Sequence, residues 1–298
     1  MKDSDFLELL TRLGLSWAGY RQVRKGVKRR ISRHMQRLSL RTIGEYLLEL
    51  EENPEVREET WRLLAVPISR FFRDVALWQS LERSVLPAVL ARGGGRRRVW
   101  SAGCARGEEA YSFAIVWRSV ATHLAQVPEL ELWATDINPA LLAEAQSGVY
   151  PASSLREVAE PWRAACFERL GESSFAVVAT LKTGIRWRVH DLLSENPPGS
   201  DFQVIFLRNS LLTYYNETLQ KAALERIAQS LAPGGVLVVG SHEKLPYESL
   251  GLRLYRHQRC IFQKAQVAEP FDEHQEPVTD GSPRLREIDP DRKADRTY

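Results

Sequence analysis

A run of small residues followed by an acidic pair is the first stretch of this sequence that could do chemistry. In VWSAGCARGEEAYS (99–112), Gly103 and Gly107 would let the backbone approach a ligand closely, and the helix that follows would offer free N–H groups. Glu108 and Glu109 would repel a phosphate there, so a cationic or hydroxyl-bearing ligand is favoured. The alternative is that both carboxylates only stabilise the positive end of the helix dipole.

Polar residues also follow two apolar runs directly. Asp136 ends the run WATD, and an acid at the end of the second strand of a doubly wound sheet commonly binds ribose hydroxyls. Arg208 and Asn209 follow another apolar run, at the edge where open α/β sheets bind ligands. The alternatives are a cap for the helix that begins at Pro139 and a solvated strand end.

Two aromatic residues flanked by arginines form a further stretch, VPISRFFRD (66–74). The guanidinium of Arg73 could clamp a carboxylate, although core aromatics between surface arginines are the simpler interpretation. No His/Asp or Ser/His pair accompanies these motifs, and Cys104, Cys166 and Cys260 lie far apart without a CxxC pair. We therefore predict neither a disulfide scaffold nor a metal site.

Strands that alternate with helices must position these residues. This alternation is typical of an α/β fold with a mostly parallel sheet. The predicted strands are 96–100, 129–135, 184–189, 201–207 and 234–240, and the predicted helices between several of them are Glu108–Ala121, Pro139–Ser147 and Glu217–Leu231. Two runs within 252–264 predict an antiparallel hairpin at the sheet edge, and about 151–184 predicts a small β insertion.

The two ends of the chain differ in charge. The first 65 residues show helical periodicity and predict three or four helices, and the window between Leu9 and Gly44 holds ten Lys and Arg but no Asp or Glu. From Gln266 to Tyr298 nine acids accompany five bases and few residues are apolar, so we expect disorder. We divide the chain into a helical N-terminal domain (1–65), an α/β domain (66–264) and an acidic tail (265–298).

Composition excludes several classes of protein. With 298 residues, 44% of them hydrophobic and 27% charged, the chain has the profile of a globular protein that buries its own core. No apolar run approaches the ~18 residues of a membrane-spanning helix, and the N-terminus lacks the features of a secretory signal. We expect a cytoplasmic protein without direct membrane insertion.

Taken in order, these motifs resemble one family, the S-adenosylmethionine-dependent methyltransferases of chemotaxis receptors (CheR type). The resemblance runs from about residue 20 to 264. It is carried by SRFFRD (69–74), VWSAGCARGEEAYS (99–112), ATDI (134–137), HDLL (190–193), LRNSLLTYY (207–215) and PGGVLVVGSHEKL (233–245). It implies a class I methyltransferase fold, Rossmann-like, with a helical N-terminal domain and a small β insertion. It also implies an enzyme that methylates glutamate carboxylates of a chemoreceptor or a similar sensory protein.

The resemblance implies a cofactor, S-adenosylmethionine, whose product is S-adenosylhomocysteine. Ser69 and Arg73 would lie against its methionine end, with Arg73 reaching the carboxylate, and Glu109 would contact the methionine part or its amino group. Asp136 would take the ribose hydroxyls. The positions carried over as cofactor contacts are Ser69, Arg73, Gly103, Glu109, Asp136, Asp191, Leu192, Arg208 and Asn209.

The rest of the pocket is assigned in the same way. Asp191 and Leu192 would edge the adenine, and Arg208 and Asn209 would close the pocket near the reacting methyl. We hypothesise that these last two residues and Tyr214, or the tyrosine that follows it, orient the acceptor carboxylate. A glutamate side chain, with an ordinary pKa of about 4.3, is already ionised near neutrality and needs no general base.

This sequence departs from the family pattern in four places. Family members usually carry asparagine at Pro67, Ser-Thr at Ala105 and Arg106, cysteine at Leu207 and, beside the transferred methyl, tyrosine at Thr213. Two alternatives therefore stay open. One is a methyltransferase of the same fold with a different substrate, and the other is a non-catalytic module that binds the cofactor as a regulatory signal.

The resemblance also implies a partner. The basic helix would bind the helical methylation region of an acidic receptor, and in some family members the β insertion docks a receptor tail. The residues assigned to partner binding are Lys28, Arg29, Arg30, Arg33 and Arg37. Nucleic acid is not expected, because the basic window lacks interleaved aromatic residues for base stacking.

Overall fold

The computed structural model describes residues 1–67, 69–91, 95–122, 124–246 and 248–266, and residues 1–266 form one compact unit. Most of the predicted acidic tail, from residue 267 onward, lies outside the described residues, so its disorder stays a prediction. The domain boundary at residue 65 also stays a prediction. Within the described residues, no helix is long and apolar enough to cross a membrane.

Helices alone build the first 64 residues. They are α1 (Asp3–Arg12), α2 (Trp17–Tyr20), α3 (Arg24–Arg37), α4 (Ile43–Glu52) and α5 (Pro54–Leu64). Side-chain caps start two of them, because Thr42 accepts from the amide of Glu45 before α4, and Asn53 accepts from the amides of Glu55 and Val56 before α5. Their apolar faces pack into a hydrophobic core of their own. The predicted helical character is confirmed, with the single-turn α2 as an extra element.

Parallel strands make most of the main sheet. The described strands are β1 (Arg96–Ala102), β2 (Glu129–Asp136), β3 (Val149–Pro151), β4 (Phe167–Arg169), β5 (Ser174–Val177), β6 (Ile185–Val189), β7 (Phe202–Leu207), β8 (Leu231–Val239), β9 (Leu252–Tyr255) and β10 (Gln258–Lys264). Seven of them form a sheet in the order β6-β2-β1-β7-β8-β10-β9, in which β10 runs antiparallel to both of its neighbours and the other pairs are parallel. The predicted α/β fold with an edge hairpin is confirmed.

Both faces of this sheet are covered. The remaining helices are α6 (Val75–Ser80), α7 (Leu86–Leu90), α8 (Glu108–Ala121), α9 (Pro139–Ser147), α10 (Glu160–Cys166), α11 (Ala179–Lys182), α12 (Leu211–Tyr214) and α13 (Glu217–Gln229), and a π-helical turn, Leu81–Val85, joins α6 to α7. Successive strand residues point to opposite faces. Val99 and Phe206 therefore join the core that contains α8, whereas Trp100 and Ile205 join the core that contains α13.

The predicted β insertion lies between β2 and β6. It contains a separate antiparallel sheet in the order β3-β5-β4. Phe71 packs edge-to-face against Tyr150 and Phe167, with ring centroids 4.9 Å apart in both pairs. Arg70 forms an ion pair with Glu157 at 2.7 Å. The 66–74 stretch is thereby fixed against the insertion by one aromatic residue and one arginine.

Candidate active site

A cleft opens where β1, β2, β6 and β7 end, as expected for an open α/β sheet. It has two parts that share Val66, Gly103, Ala105 and Asn209. The larger part has a cavity volume of about 150 Å³ and the smaller part about 50 Å³, and we call them the adenosine end and the methionine end after the ligand moieties predicted to bind there. Every predicted catalytic or cofactor-binding residue lines one part or both, namely Ser69, Arg73, Gly103, Glu109, Asp136, Asp191, Leu192, Arg208, Asn209 and Tyr214.

The loop after β1 forms the floor shared by both ends. Gly103 has a left-handed backbone with φ of +79°, and an added Cβ would stand 2.8 Å from Cβ of Ser210. The carboxylate of Asp136 accepts from the amides of Ala105 and Asn138, each at 2.9 Å. The cap of α9 is supplied by Asn138, which accepts from the amide of Ala140. The side chain of Asp136 therefore holds the loop in place, and burial raises its pKa.

An ionic cluster around the buried side chain of Arg208 forms the methionine end. The guanidinium of Arg208 donates to Glu109 at 3.0 Å and to Asp74 at 2.7 Å. Its side chain is only 3% exposed. The second oxygen of Glu109 accepts from Ser101 at 2.7 Å. Burial raises the pKa of Glu109, and the charge of Arg208 opposes that rise.

These contacts change the interpretation of Arg208. We predicted that it orients the acceptor carboxylate, but two carboxylates of the chain itself and the carbonyl oxygen of Arg73 already engage its terminal nitrogens. Asp74, which sequence reasoning did not select, is one of those carboxylates. Only its position immediately after Arg73 in the SRFFRD motif could have pointed to it.

The loop after β6 lines the adenosine end. Asp191 accepts from the amide of Leu193 at 2.9 Å and from the hydroxyl of Ser194 at 2.7 Å. His190 is buried and donates through Nε2 to the carbonyl oxygen of Asn196 at 2.9 Å. Asp191 thus shapes a tight turn that presents Leu192, as well as its own side chain, to the cleft.

Glu243 holds the loop after β7. Its carboxylate accepts from the amide of Gly240 at 2.6 Å, the amide of Asn209 at 3.0 Å and the hydroxyl of Thr213 at 2.5 Å. Asn209 has a left-handed backbone with φ of +52°. The threonine in the family's tyrosine position therefore binds Glu243, and Tyr214 lines the cleft.

The N-terminal helices close the adenosine end. The amide of Ser16 donates to the carbonyl of Tyr214 at 2.8 Å, and the amide of Asn216 donates to the carbonyl of Gly14 at 2.9 Å. Tyr215 stacks on Trp61 with an interplanar angle of 22°. The sequence patterns did not point to Leu15, Tyr20, Trp61 or Leu64 in this wall, and Tyr215 was predicted only as an alternative to Tyr214.

The predicted partner-binding residues fall into two groups. Arg29, Arg33 and Arg37 are exposed on α3, and Lys28, which is mostly covered, forms an ion pair with Asp3 at 2.6 Å. Arg30 instead points into the protein and donates to backbone carbonyl groups at the end of α5. Two of its N–H donors are engaged inside the chain, so the placement of Arg30 does not support the predicted partner contact as the exposed arginines do.

The strand order, with one antiparallel strand next to the edge, and a ligand cleft at the carboxyl ends of the parallel strands define a class I S-adenosylmethionine-dependent methyltransferase. Residues 68–259 match the family model described as CheR methyltransferase, SAM binding domain. The chain belongs to this family and is an S-adenosylmethionine-dependent methyltransferase.

Relatives named for the same activity cover most of the chain. It is 34% identical over 234 residues to the chemotaxis protein methyltransferase of Listeria monocytogenes, across 78% of this chain and 86% of the relative. It is 33% identical over 242 residues to the probable chemotaxis protein methyltransferase of Rhizobium etli, across 76% and 89%. The putative methyltransferase Cher3 of Pseudomonas putida is 30% identical over 249 residues, across 80% and 88%.

The cleft fits S-adenosylmethionine. Its floor at Gly103 has no room for a side chain, which suits a ligand lying directly on the backbone. A buried carboxylate, Glu109, and a cation, Arg73, line the methionine end, as an amino acid moiety with both charges requires. The adenosine end is walled by aromatic and aliphatic side chains, with Asp136 and Asp191 as polar groups, which suits an adenine and a ribose.

Proposed function

We propose that this methyltransferase acts on glutamate carboxylates of an acidic helical sensory protein, namely the signalling domain of a chemoreceptor. Three relatives with 30–34% identity are named as methyltransferases, two of them of chemotaxis, which supports this acceptor. The observation that carries the proposal is the presence, in one compact unit, of a cleft for the cofactor and an exposed cationic helix, α3.

Each end of the cleft has its own task. Bound there, S-adenosylmethionine supplies a methyl group already activated by its sulfonium. Arg73 would pair with the cofactor's carboxylate and Glu109 with its ammonium group. Asp136 would accept from the ribose hydroxyls, while Asp191 and Leu192 would edge the adenine. Ser69 and Gly103 would line the methionine end and the floor.

Orientation of the acceptor is the remaining task of the protein. The acceptor carboxylate is ionised near neutrality, so positioning and partial removal of its water replace proton transfer. We assign this positioning to Asn209 and Tyr214, which line the cleft beside the floor. Arg208 acts differently, because it holds Glu109 in place and keeps it charged.

The exposed side of α3 provides the partner surface. Lys25, Arg29 and Arg33 recur every four residues and are exposed, so they form one row along the helix. Arg37 continues that row and also lies 3.5 Å from Glu59. A row of cations complements the acidic surface of a helical substrate and would speed and orient its docking.

Calorimetric titration with S-adenosylhomocysteine tests the cofactor part of this proposal. We expect one site with micromolar or tighter affinity, and a protein that does not bind would contradict the assignment. Methyl ester formation on purified receptor signalling domains, followed by mass spectrometry, tests the acceptor. We expect transfer to glutamate side chains, and transfer confined to another residue type would contradict that part alone.

A charge-reversed variant tests the partner surface. Arg29→Glu combined with Arg33→Glu should lower methylation of the receptor domain strongly and leave S-adenosylhomocysteine affinity unchanged. Arg62→Glu is a matched control, because this exposed arginine lies on α5 and its ion pairs among the described residues are with Glu58 and Glu59 of its own helix. Equal loss of methylation in the control would show that the row on α3 has no special role.

A further inference from the structure

Arg30 lies on α3 but faces away from the exposed cationic row. Its Nε donates to the carbonyl of Leu63 and its Nη2 to the carbonyl of Ala65, both at 2.8 Å. The last carbonyl groups of a helix have no partners within that helix. The side chain is partly covered, and burial lowers the pKa of its guanidinium. Arg30 therefore satisfies two carbonyl groups where α5 ends.

A second side chain acts at the same place. The hydroxyl of Tyr20, from α2, donates to the carbonyl of Leu64 at 3.2 Å, and the ring of Tyr20 is buried. Three successive carbonyl groups, from Leu63 to Ala65, are thus held by α2 and α3. The end of α5 is therefore held by two other helices as well as by the bond from the amide of Ala65 to the carbonyl of Trp61.

This held segment is one wall of the cleft. Leu64, Ala65, Val66 and Pro67 line the adenosine end, and Gly103 belongs to the floor shared by both ends. A shift of the segment would change the width of the space into which the cofactor must fit. Because Arg30 bonds to the backbone here, it controls the wall without lining the cleft itself.

We propose that Arg30 is a positioning residue for the cofactor, which it serves by fixing the end of α5 as a wall of the cleft. The inference rests on the proposed cofactor site. Helix α3 would then have two functions. Arg29 and Arg33 face solvent and would bind the partner, whereas Arg30 between them faces the cleft wall and would position it.

The geometry requires arginine in particular. A planar guanidinium can donate in two directions at once, to carbonyl groups two residues apart, whereas an ammonium group is a compact donor on a flexible chain. Arg30→Lys should therefore keep one of the two bonds and retain part of the function. Arg30→Ala should lose both.

Another arginine in the chain provides a matched control. Arg57 donates through Nε to the carbonyl of Leu50 at 2.8 Å and through Nη2 to the carbonyl of Glu51 at 2.7 Å. It holds the end of α4 as Arg30 holds the end of α5, but neither Leu50 nor Glu51 is among the described residues that line the cleft. Substitution of Arg57 should therefore lower stability to a similar extent without moving a wall of the cleft.

Calorimetric titration of the full-length variants with S-adenosylhomocysteine tests the inference, with thermal unfolding of the ligand-free proteins measured alongside. We expect Arg30→Ala to raise Kd about tenfold and Arg30→Lys to raise it less. Arg57→Ala should lower Tm comparably and leave Kd within about twofold. In turnover, Arg30→Ala should raise KM for the cofactor far more than it lowers kcat.

Two results would overturn the inference: an unchanged Kd in Arg30→Ala, or an equal rise of Kd in Arg57→Ala. If Arg30→Ala does not fold, the comparison of Arg30→Lys with Arg57→Lys decides in the same way. Failure of the unmodified protein to bind S-adenosylhomocysteine would overturn the proposed function itself, and this result is distinct from both of the others.

Discussion

The two ends of the cleft are stabilised by different kinds of interaction. At the methionine end, the buried guanidinium of Arg208 forms ion pairs with two carboxylates, Glu109 and Asp74. At the adenosine end, rings and aliphatic side chains from the N-terminal helices close over the sheet, and Tyr215 stacks on Trp61. One end is held by charge and the other by packing.

This difference determines how each end responds to change. A buried ion pair that loses one partner leaves an uncompensated charge, and its removal costs about 3–5 kcal/mol. A stacked aromatic pair contributes about 0.5–1.5 kcal/mol beyond the area that it buries. We therefore expect a single substitution at the methionine end to lower stability more than a single substitution at the adenosine end.

Arg208→Ala is the largest test of this comparison. It removes the cation that both Glu109 and Asp74 contact, and because Asp74 is partly exposed, the free energy of unfolding should fall by about 3 kcal/mol, the lower end of the range for buried pairs. Turnover should be abolished and S-adenosylhomocysteine affinity should fall as well, because Glu109 loses the group that holds it. Denaturant unfolding and calorimetry measure the two losses.

Arg208→Lys is the control for that prediction, since it restores the charge but not the two-directional fork, and it should recover stability more than turnover. Full cofactor affinity in Arg208→Ala would contradict the role assigned here. It would instead support the sequence-based hypothesis that Arg208 acts on the acceptor alone.

Most of the methionine end and the floor could be predicted from the sequence. Gly103, Asp136 and Arg208 lie at or directly after the end of an apolar strand, and Glu109 lies in the first turn of the helix that follows β1. The topology of parallel sheets brings such positions to one edge, whatever the rest of the chain does. Local sequence was therefore enough to select the residues of the methionine end and of the floor.

The partners of those residues could not be predicted in the same way. Glu243 lies 34 positions from Asn209, whose amide it binds, and Arg208 lies 134 positions from Asp74. The wall at Leu64 and the turned-in side chain of Arg30 depend on how α3 packs against α5, and the charge run around Arg30 gave no sign that one arginine differs from its neighbours. Periodicity assigns a face to a residue only after the neighbouring helices are known.

A pair of neighbouring tyrosines tests the adenosine end and the acceptor side together. Tyr214→Phe should lower the rate of transfer about tenfold or more and leave S-adenosylhomocysteine affinity nearly unchanged, because only a hydroxyl that orients the acceptor is removed. Tyr215→Phe should keep the rate within about twofold, since its ring still stacks on Trp61. Steady-state kinetics with a receptor domain measure both. Equal losses in the two variants would remove the catalytic assignment of Tyr214.

The smallest expected effect is the pH dependence of cofactor binding. Burial raises the pKa of Glu109 and of Asp136, so both carboxyl groups become protonated at a higher pH than ordinary carboxyl groups. Protonated Glu109 no longer attracts an ammonium group, and S-adenosylhomocysteine affinity should therefore fall several-fold on acidification, starting above the usual carboxyl range.

The stability of the ligand-free protein should change with pH in the opposite direction. The folded state binds these two protons more tightly than the unfolded state does, so their stabilising contribution is present at low pH and is lost as pH rises through the folded pKa. Glu109→Gln should flatten most of the affinity profile and leave the part due to Asp136. Calorimetry across pH, with unfolding measured at the same pH values, distinguishes the fall in affinity from the gain in stability on acidification. An affinity that rises on acidification would show that Glu109 does not bind the cofactor in its charged form.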